Sequence, residues 1–381
     1  MGIDWIERAL KPGIEKRLFK GRAILITGPR QVGKTSLIRR IIESMGEEYQ
    51  FLDGDDPAVR RLLDSPNTEQ LRQMIGNSRL VFIDEAQRFA NIGLTAKMII
   101  DQFQEKQLIL SGSSSFNLST TMEEPLTGRK WSYEIFPVSW QEWQDHIGYL
   151  KAEQDLDNRL VFGLYPDVLT NRDDQREILR ELVEVESYLY KDVLGYAGLR
   201  KPGEIQKLTQ ALAFQVGQVV VYQEVGQLIG LDPKTIQRYI EILEKAYVLF
   251  RVPAFSRNLR NEIKTNRKIY FYDNGIRNAV IGGLQPLQNR NDTGALWENF
   301  LMSERRKLLQ YRKKNADMYF WRTSQQQEID YVEEEDGNLS AFEFKWNPKK
   351  KARFPKTFQN NYNATSQVIT RNNFREFVIL Q

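Results

Sequence analysis

Residues 21–40, GRAILITGPRQVGKTSLIRR, decide how the chain is read. Ala23 to Thr27 is apolar, Gly28-Pro29-Arg30-Gln31-Val32-Gly33-Lys34-Thr35 follows at once, and Leu37, Ile38, Ile41 and Ile42 then recur at helical spacing. That order spells strand, phosphate loop, helix. Gly28 and Gly33 permit the backbone angles that turn successive N–H groups inward, so Gly28 through Ser36 form a cradle for phosphate oxygens. Lys34 is positioned to reach the β- and γ-phosphates, and the Thr35 hydroxyl to sit on Mg2+. A chance glycine turn before a helix is the alternative, but every element the motif needs stands in its required context.

Working outward, Tyr49 to Leu52 reads as a short strand ending in Asp53-Gly54-Asp55-Asp56-Pro57. Leu80 to Ile83 is a run of consecutive apolar residues, as a strand buried on both faces requires, and it ends in Asp84-Glu85. Open parallel sheets bind ligands at the carboxyl ends of their strands. Asp84 therefore suits the Mg2+ shell, and Glu85 suits a carboxylate that orients or deprotonates the attacking water. Gln107 to Leu110 repeats the pattern and ends in Ser111-Gly112-Ser113-Ser114-Ser115. Ser111 or Ser113 can meet the γ-phosphate through a hydroxyl, with a plain serine-rich turn as the alternative. Strands alternating with helices predict an α/β fold with a parallel sheet covered on both faces. The guanine-specifying Asn-Lys-x-Asp tetrapeptide is absent, which favours ATP over GTP.

Bulk properties narrow the class. The 381 residues are too many for one small core, and 27% charged with 41% hydrophobic residues is ordinary for a globular chain. No apolar run approaches the roughly 18 to 20 residues of a membrane helix. The stretch MGIDWIERALKPGIEKRLFKGR has helical spacing of Ile3, Ile6, Leu10, Ile14 and Leu18 and lacks the apolar centre of a signal peptide, so a cytoplasmic location is expected. With no cysteine and a single histidine, His146, thiolate and imidazole-rich metal sites are excluded. Any metal is held by oxygen, which favours Mg2+ or Mn2+. Net charge is only +4, but basic residues concentrate from Arg251 to Arg277 and from Lys345 onward. Solvated surface is one reading of these clusters, and nucleic-acid contact is the other.

Farther along, Leu126-Thr127-Gly128-Arg129-Lys130 precedes an aromatic strand, Trp131 to Phe136. Arg129 is a candidate phosphate-facing arginine, acting within the chain or toward a neighbouring subunit of a homo-oligomer, and Arg88 ranks second. Residues 145–202 turn helical, with Arg176 to Leu194 a long amphipathic stretch. Leu208 to Val221 and Gln223 to Ile229 read as helices, and Asp232-Pro233 caps a third that carries Ile236, Tyr239, Ile240, Leu243, Ala246 and Tyr247 on one stripe. Two strands follow, Val248 to Ala254 and Lys268 to Tyr272. Helix, helix, capped helix and β-ribbon is the order of a winged helix-turn-helix. Lys234, Thr235, Gln237 and Arg238 are then placed to meet base edges, and Arg257, Arg260, Lys264 and Arg267 to meet phosphates. Winged folds also bind proteins, so DNA is not the sole partner such a region takes.

The last hundred residues bring a helix from Ala295 to Leu309 with Glu298 near its start, and strands Met318 to Arg322, Glu328 to Val332 and Ala341 to Trp346. Alternation along a strand sends Glu343 and Lys345 to one face, where Asp330 and Glu298 can converge. Three carboxylates and a lysine are the equipment for a Mg2+-dependent phosphodiester cut, although a structural relic of such a site carries the same residues.

The runs GPRQVGKT, FIDEAQR, LSGSSS, LTGRKWSYEIFPVSWQEW, GLYPDV, YLYKDVL, YFYDNGIRN, WENF, EIDYV and EFKW resemble the bacterial and archaeal AAA+ type ATPases whose C-terminal part is a nuclease-like domain of unassigned function. The resemblance spans nearly the whole chain. It implies a AAA+ type P-loop ATPase domain (1–145), a helical lid or connector (146–205), a winged-helix region (206–280) and a PD-(D/E)XK nuclease-like domain (281–381). Glu298, Asp330, Glu343 and Lys345 match the PD-(D/E)XK site residue by residue. The expected function is Mg2+-dependent ATP hydrolysis coupled to nucleic acid; the alternative is an ATP-gated protein-interaction switch that cuts nothing.

Overall fold

The computed structural model describes residues 5–113, 125–184, 202–257, 267–323 and 325–379. Five strands, β1 (Ala23–Thr27), β2 (Tyr49–Asp53), β3 (Leu80–Asp84), β4 (Gln107–Gly112) and β5 (Lys130–Glu134), form a sheet in the order β2-β3-β4-β1-β5. Every pairing in it is parallel. β1, β3 and β4 are buried from end to end, which explains why they read as apolar runs and not as alternating patterns. Ile24, Ile26, Phe82 and Ile109 face one core with Leu37, Ile38, Ile41 and Ile42 of the helix Lys34–Met45. Ala23, Leu25, Val81, Ile83, Leu108 and Leu110 face another, with Leu71 and Ile75 of the helix Thr68–Ile75 and Ile92, Ala96 and Ile99 of the helix Ile92–Gln102. The α/β expectation with helices on both faces is met in these strands.

Two expected elements differ. Over residues 5–20 only Lys11–Glu15 is helical, with Pro12 in its first turn and no side-chain cap, although Ile6, Leu10, Ile14 and Leu18 are all buried. The helix expected from Leu208 to Val221 instead runs Pro202–Phe214. Gly217 (φ +74°) turns the chain, and the β-branched pair β6 (Val219–Val220) joins a strand ladder.

Between these ends lie the helices Trp140–Ile147, Tyr149–Phe162, Pro166–Thr170 and Gln175–Val183. After β6 come the helices Tyr222–Ile229 and Pro233–Lys245, then β7 (Leu249–Pro253) and β8 (Arg267–Phe271), in an antiparallel sheet of order β6-β8-β7. Asp232 accepts from the backbone N–H groups of Lys234 and Thr235, as its capping role requires. The helices Asn274–Val280 and Thr293–Arg312 lead into β9 (Ala316–Arg322), β10 (Glu328–Glu335) and β11 (Asn338–Lys345), which are antiparallel neighbours. The helix Lys356–Asn361 carries the chain over to β12 (Ala364–Thr370), parallel to β11, and the helix Phe374–Val378 packs against the long helix through Phe374 and Phe300. Arg260 and Lys264, the YLYKDVL run, and Ser114 and Ser115 lie outside the described residues.

An aromatic junction joins the segment after β5, the segments that follow the helix Pro233–Lys245 and β8, and the long helix Thr293–Arg312. Phe136 stacks on Tyr272 with ring centroids 5.4 Å apart, meets Tyr247 edge-on at 6.3 Å and lies against Tyr311 at 5.9 Å. The Tyr247 hydroxyl reaches Thr27 Oγ1 (3.1 Å) and Glu134 Oε1 (3.2 Å), the last residues of β1 and β5.

Candidate nucleotide site and a second charged cluster

Gly28 leaves β1 where no side chain fits: a Cβ there would stand 2.0 Å from the Ile135 carbonyl oxygen. Gly33 adopts a left-handed conformation (φ +88°) and opens the helix Lys34–Met45 without a side-chain cap, leaving its first N–H groups directed at the loop. The buried Lys34 ammonium lies over the loop, donating to the carbonyls of Gly28 (3.0 Å) and Pro29 (2.7 Å). Ser36 is exposed beside it, and Val32 is fully buried beneath. Arg8, unmarked by any motif, supports the loop from behind: its guanidinium donates to the carbonyls of Val32 (2.7 Å) and Phe136 (2.6 Å) and pairs with Glu142 (3.2 Å).

The acidic pair at the end of β3 faces this loop. Thr35 Oγ1 donates to Asp84 Oδ2 at 2.7 Å. The hydroxyl and the carboxylate are both hard oxygen donors, so they fit a Mg2+ ion carried in with a nucleotide. Asp84 Oδ1 takes hydrogen bonds from the Glu85 N–H (3.0 Å) and from the Ser111 hydroxyl. Ser111 thus orients Asp84, where the sequence suggested contact with the γ-phosphate. Glu85 adopts a left-handed conformation (φ +47°), unusual for a residue with a long side chain. Its carboxylate meets the Arg30 guanidinium at 3.6 Å, the Ser113 hydroxyl at 3.2 Å and the Gln87 amide. Gln87 also donates to Ser113 at 2.8 Å, closing a ring around the carboxylate that sequence reasoning missed. Gly54, which donates to the Asp84 carbonyl, packs so closely that a Cβ would stand 2.5 Å from the Glu85 carbonyl oxygen.

The two candidate arginines lie elsewhere. Arg129 precedes β5, its carbonyl accepting from Ala23 N at the amino end of β1, and its half-exposed side chain pairs with Asp101 at 3.2 Å. The phosphate loop leaves the opposite end of that strand, so the structure does not bring Arg129 to the phosphates of its own chain. Arg88 pairs with Asp55 at 3.2 Å, beyond the end of β2.

A second cluster forms where β8, β10, β11 and the helix Thr293–Arg312 meet. Glu343 and Lys345 share a face, with Lys345 Nζ 2.7 Å from Glu343 Oε2 and 3.4 Å from Asp330 Oδ2. Asp330 Oδ2 also accepts from Phe344 N at 2.8 Å. Glu298 accepts instead from Lys268 Nζ (3.1 Å) and the Tyr270 hydroxyl (2.7 Å). Lys268 reaches Glu328 as well, at 2.6 Å. Burial pushes the Glu298 carboxyl up to about 7, against the pull of Lys268. Burial and the Asp330 charge likewise raise Glu343. All four expected residues therefore share one region, yet no group of three or more acidic side chains among the described residues is arranged to hold a metal ion. The lysine and tyrosine of β8 went unnoticed in the sequence, where Lys268 was one of many basic residues.

Comparison with known proteins agrees with the first site. The family described as AAA domain matches residues 20–144, and two families described as domains of unknown function, DUF8612 and DUF4143, match 153–287 and 293–379. An uncharacterized protein of Mycobacterium tuberculosis is 27% identical over 336 residues, covering 87% of this chain and 72% of its own length. One from Methanocaldococcus jannaschii is 23% identical over 342 residues, with 82% and 75% covered. Among solved structures, the RuvB Holliday junction branch migration motor of Thermotoga maritima is 16% identical, with 68% of this chain and 95% of that chain covered at a TM-score of 0.34. A DNA replication initiation factor is 18% identical, with 62% and 86% covered at 0.27. Superpositions at that level carry no functional argument. The AAA-domain match and the phosphate loop together indicate a AAA-type P-loop ATPase domain, for which ATP binding and hydrolysis are the activities suggested. Among the described residues, no helix is long and apolar enough to cross a membrane.

Proposed function

We propose that the chain binds ATP with Mg2+ and hydrolyses it, and that the nucleotide state governs contact with nucleic acid. The observation that carries the first half is the meeting of Thr35 with Asp84 under the phosphate loop, with Glu85 fixed alongside. In this reading Gly28 through Ser36 hold the phosphates, and Lys34 Nζ exchanges its carbonyl partners for phosphate oxygens. The metal, held by Thr35 and Asp84, supplies charge neutralisation at the phosphates. Glu85, steadied by Gln87, Ser113 and Arg30, accepts a proton from water as that water's oxygen attacks the γ-phosphorus and the bond to the β-phosphate oxygen breaks. In this reading Arg129 acts toward the nucleotide of a neighbouring subunit in a homo-oligomer.

The nucleic-acid half is supported by exposed chemistry. Lys234, Gln237 and Arg238 are exposed on the capped helix, and the three helices with the β6-β8-β7 sheet follow the element order of a winged helix-turn-helix. Lys349, Lys350, Lys351 and Arg353 are exposed after β11. Binding of a labelled DNA duplex, followed by fluorescence anisotropy across a salt series with ATP or ADP, tests this. Steep loss of affinity with salt and a difference between the nucleotides are expected; salt-insensitive or absent binding favours a protein-interaction switch. Metal-dependent cleavage by Glu298, Asp330, Glu343 and Lys345 is the part of the expectation that their geometry supports least, because each carboxylate already has a lysine or a backbone N–H as partner.

A further inference from the structure

We infer that the second cluster is a metal-free joint, in which the ammonium group of Lys268 occupies the carboxylate oxygens that a divalent cation would otherwise take. Lys268 comes from β8, outside the part of the chain that supplies the carboxylates, and its side chain is only 1% exposed. From there it contacts Glu298 at 3.1 Å and Glu328 at 2.6 Å. Lys345, less buried, contacts Asp330 at 3.4 Å and Glu343 at 2.7 Å. Two ammonium groups thus offset part of the charge of four carboxylates, and a divalent ion binding Glu298 or Glu328 would first have to displace the buried Lys268 ammonium from the oxygens it holds.

The surrounding contacts make this a joint between two parts of the chain. Tyr270, two residues along β8, donates its hydroxyl to Glu298 at 2.7 Å. Phe271 exchanges backbone hydrogen bonds with the Asn299 amide, at 2.7 and 3.2 Å. Phe255, just after β7, donates its N–H to the Phe320 carbonyl of β9 at 2.6 Å. The β6-β8-β7 sheet is therefore fastened to the C-terminal sheet at both β7 and β8, with Lys268 the ionic centre of the seam. The carboxylates keep the order that metal chemistry uses but serve to anchor a strand.

Mn2+ binding to the full-length, nucleotide-free protein, measured from the loss of the free-ion signal in electron paramagnetic resonance, tests the inference and is independent of ATP turnover. The wild type and Asp330→Asn should give the same Mn2+ isotherm. Lys268→Met, which keeps the length of the side chain and removes its charge, should gain a site at least tenfold tighter than anything in the wild type, and the gain should vanish in Lys268→Met/Asp330→Asn. A wild-type Mn2+ site lost on Asp330→Asn or Glu298→Gln would overturn the inference, as would a folded Lys268→Met protein that gains no Mn2+. Should Lys268→Met fail to fold, the wild-type and Asp330→Asn isotherms decide alone: coincidence supports the joint, and divergence refutes it.

Discussion

The Thr35 hydroxyl donates to Asp84 Oδ2 at 2.7 Å, so the first turn of the phosphate-loop helix and the end of β3 meet on one carboxylate. The contact joins segments 49 residues apart and fixes both members of the proposed metal-holding pair relative to one another. Asp84→Asn keeps the shape and the hydrogen bond to Ser111 while halving the oxygen donors. Turnover should fall by about 100-fold or more, the scale of losing one preorganised electrostatic contact, with thermal stability close to wild type. Steady-state phosphate release at varied Mg2+ measures this; an unchanged rate would remove Asp84 from the chemistry.

A second expected outcome concerns the Tyr247 hydroxyl, which ties the region after the capped helix to Thr27 and Glu134 beside the phosphate loop. Tyr247→Phe retains the ring contacts with Phe136 and Tyr272. Stability should drop by about 1 kcal/mol, the usual worth of one hydrogen bond. If this link transmits the nucleotide state, the DNA affinities measured with ATP and with ADP should also draw together. Loss of stability with an undiminished difference between nucleotides would limit Tyr247 to packing.

The Arg305–Glu333 pair yields a prediction on pH. Two of the three guanidinium nitrogens, Nε and Nη2, reach the carboxylate at 2.7 and 2.6 Å, and the Tyr331 hydroxyl adds a bond at 2.6 Å. Burial alone would raise Glu333, but Arg305 outweighs it and holds the carboxyl below its ordinary value. A depressed folded pKa stabilises the protein above the unfolded value of about 4.3, and the benefit is lost as pH falls through the lower folded value. Glu333→Gln should cost about 3 to 5 kcal/mol near neutrality by stranding the Arg305 charge. Its stability should also decline less than that of the wild type between about pH 4 and the folded pKa. Urea denaturation at a series of pH values reads both; parallel curves would show that the pair contributes nothing specific.

Much of the candidate nucleotide site was legible because its geometry is local: a loop needing Gly28 and Gly33 between a buried strand and a helix leaves a signature in consecutive residues. Asp84 and Glu85 were legible for the same reason, as the polar end of an apolar run. Arg8, the link from Gln87 to Ser113 and the hydroxyl contacts of Tyr247 were not, because each depends on a partner distant in sequence and has no motif of its own. Lys268 shows the limit most clearly. It counted as surface charge in a basic stretch, and only the packing of β8 against Glu298 of the long helix and Glu328 of β10 reveals it as a buried counter-ion. The helix expected to reach Val221 failed where Gly217 and a valine pair allowed a strand ladder to win over helical periodicity.

For Arg129, the exposed position beside Asp101 makes a role between subunits the testable form of the proposal. Arg129→Ala should lower turnover more than nucleotide affinity, since such an arginine meets charge that grows in the transition state. Mixing Arg129→Ala with Glu85→Gln protein should restore part of the activity, because some interfaces then hold both intact groups. Unchanged turnover in Arg129→Ala would dismiss the residue.

The central claim is ATP hydrolysis at the site built by Lys34, Thr35, Asp84 and Glu85, and its most direct measurement pairs nucleotide binding with phosphate release in two variants. Lys34→Ala should lose tight ATP binding or turnover. Glu85→Gln should bind ATP with near wild-type affinity and release phosphate at least about 100-fold more slowly. Wild-type turnover in the Glu85→Gln protein, or no hydrolysis by the wild type with Mg2+ present, would contradict the account.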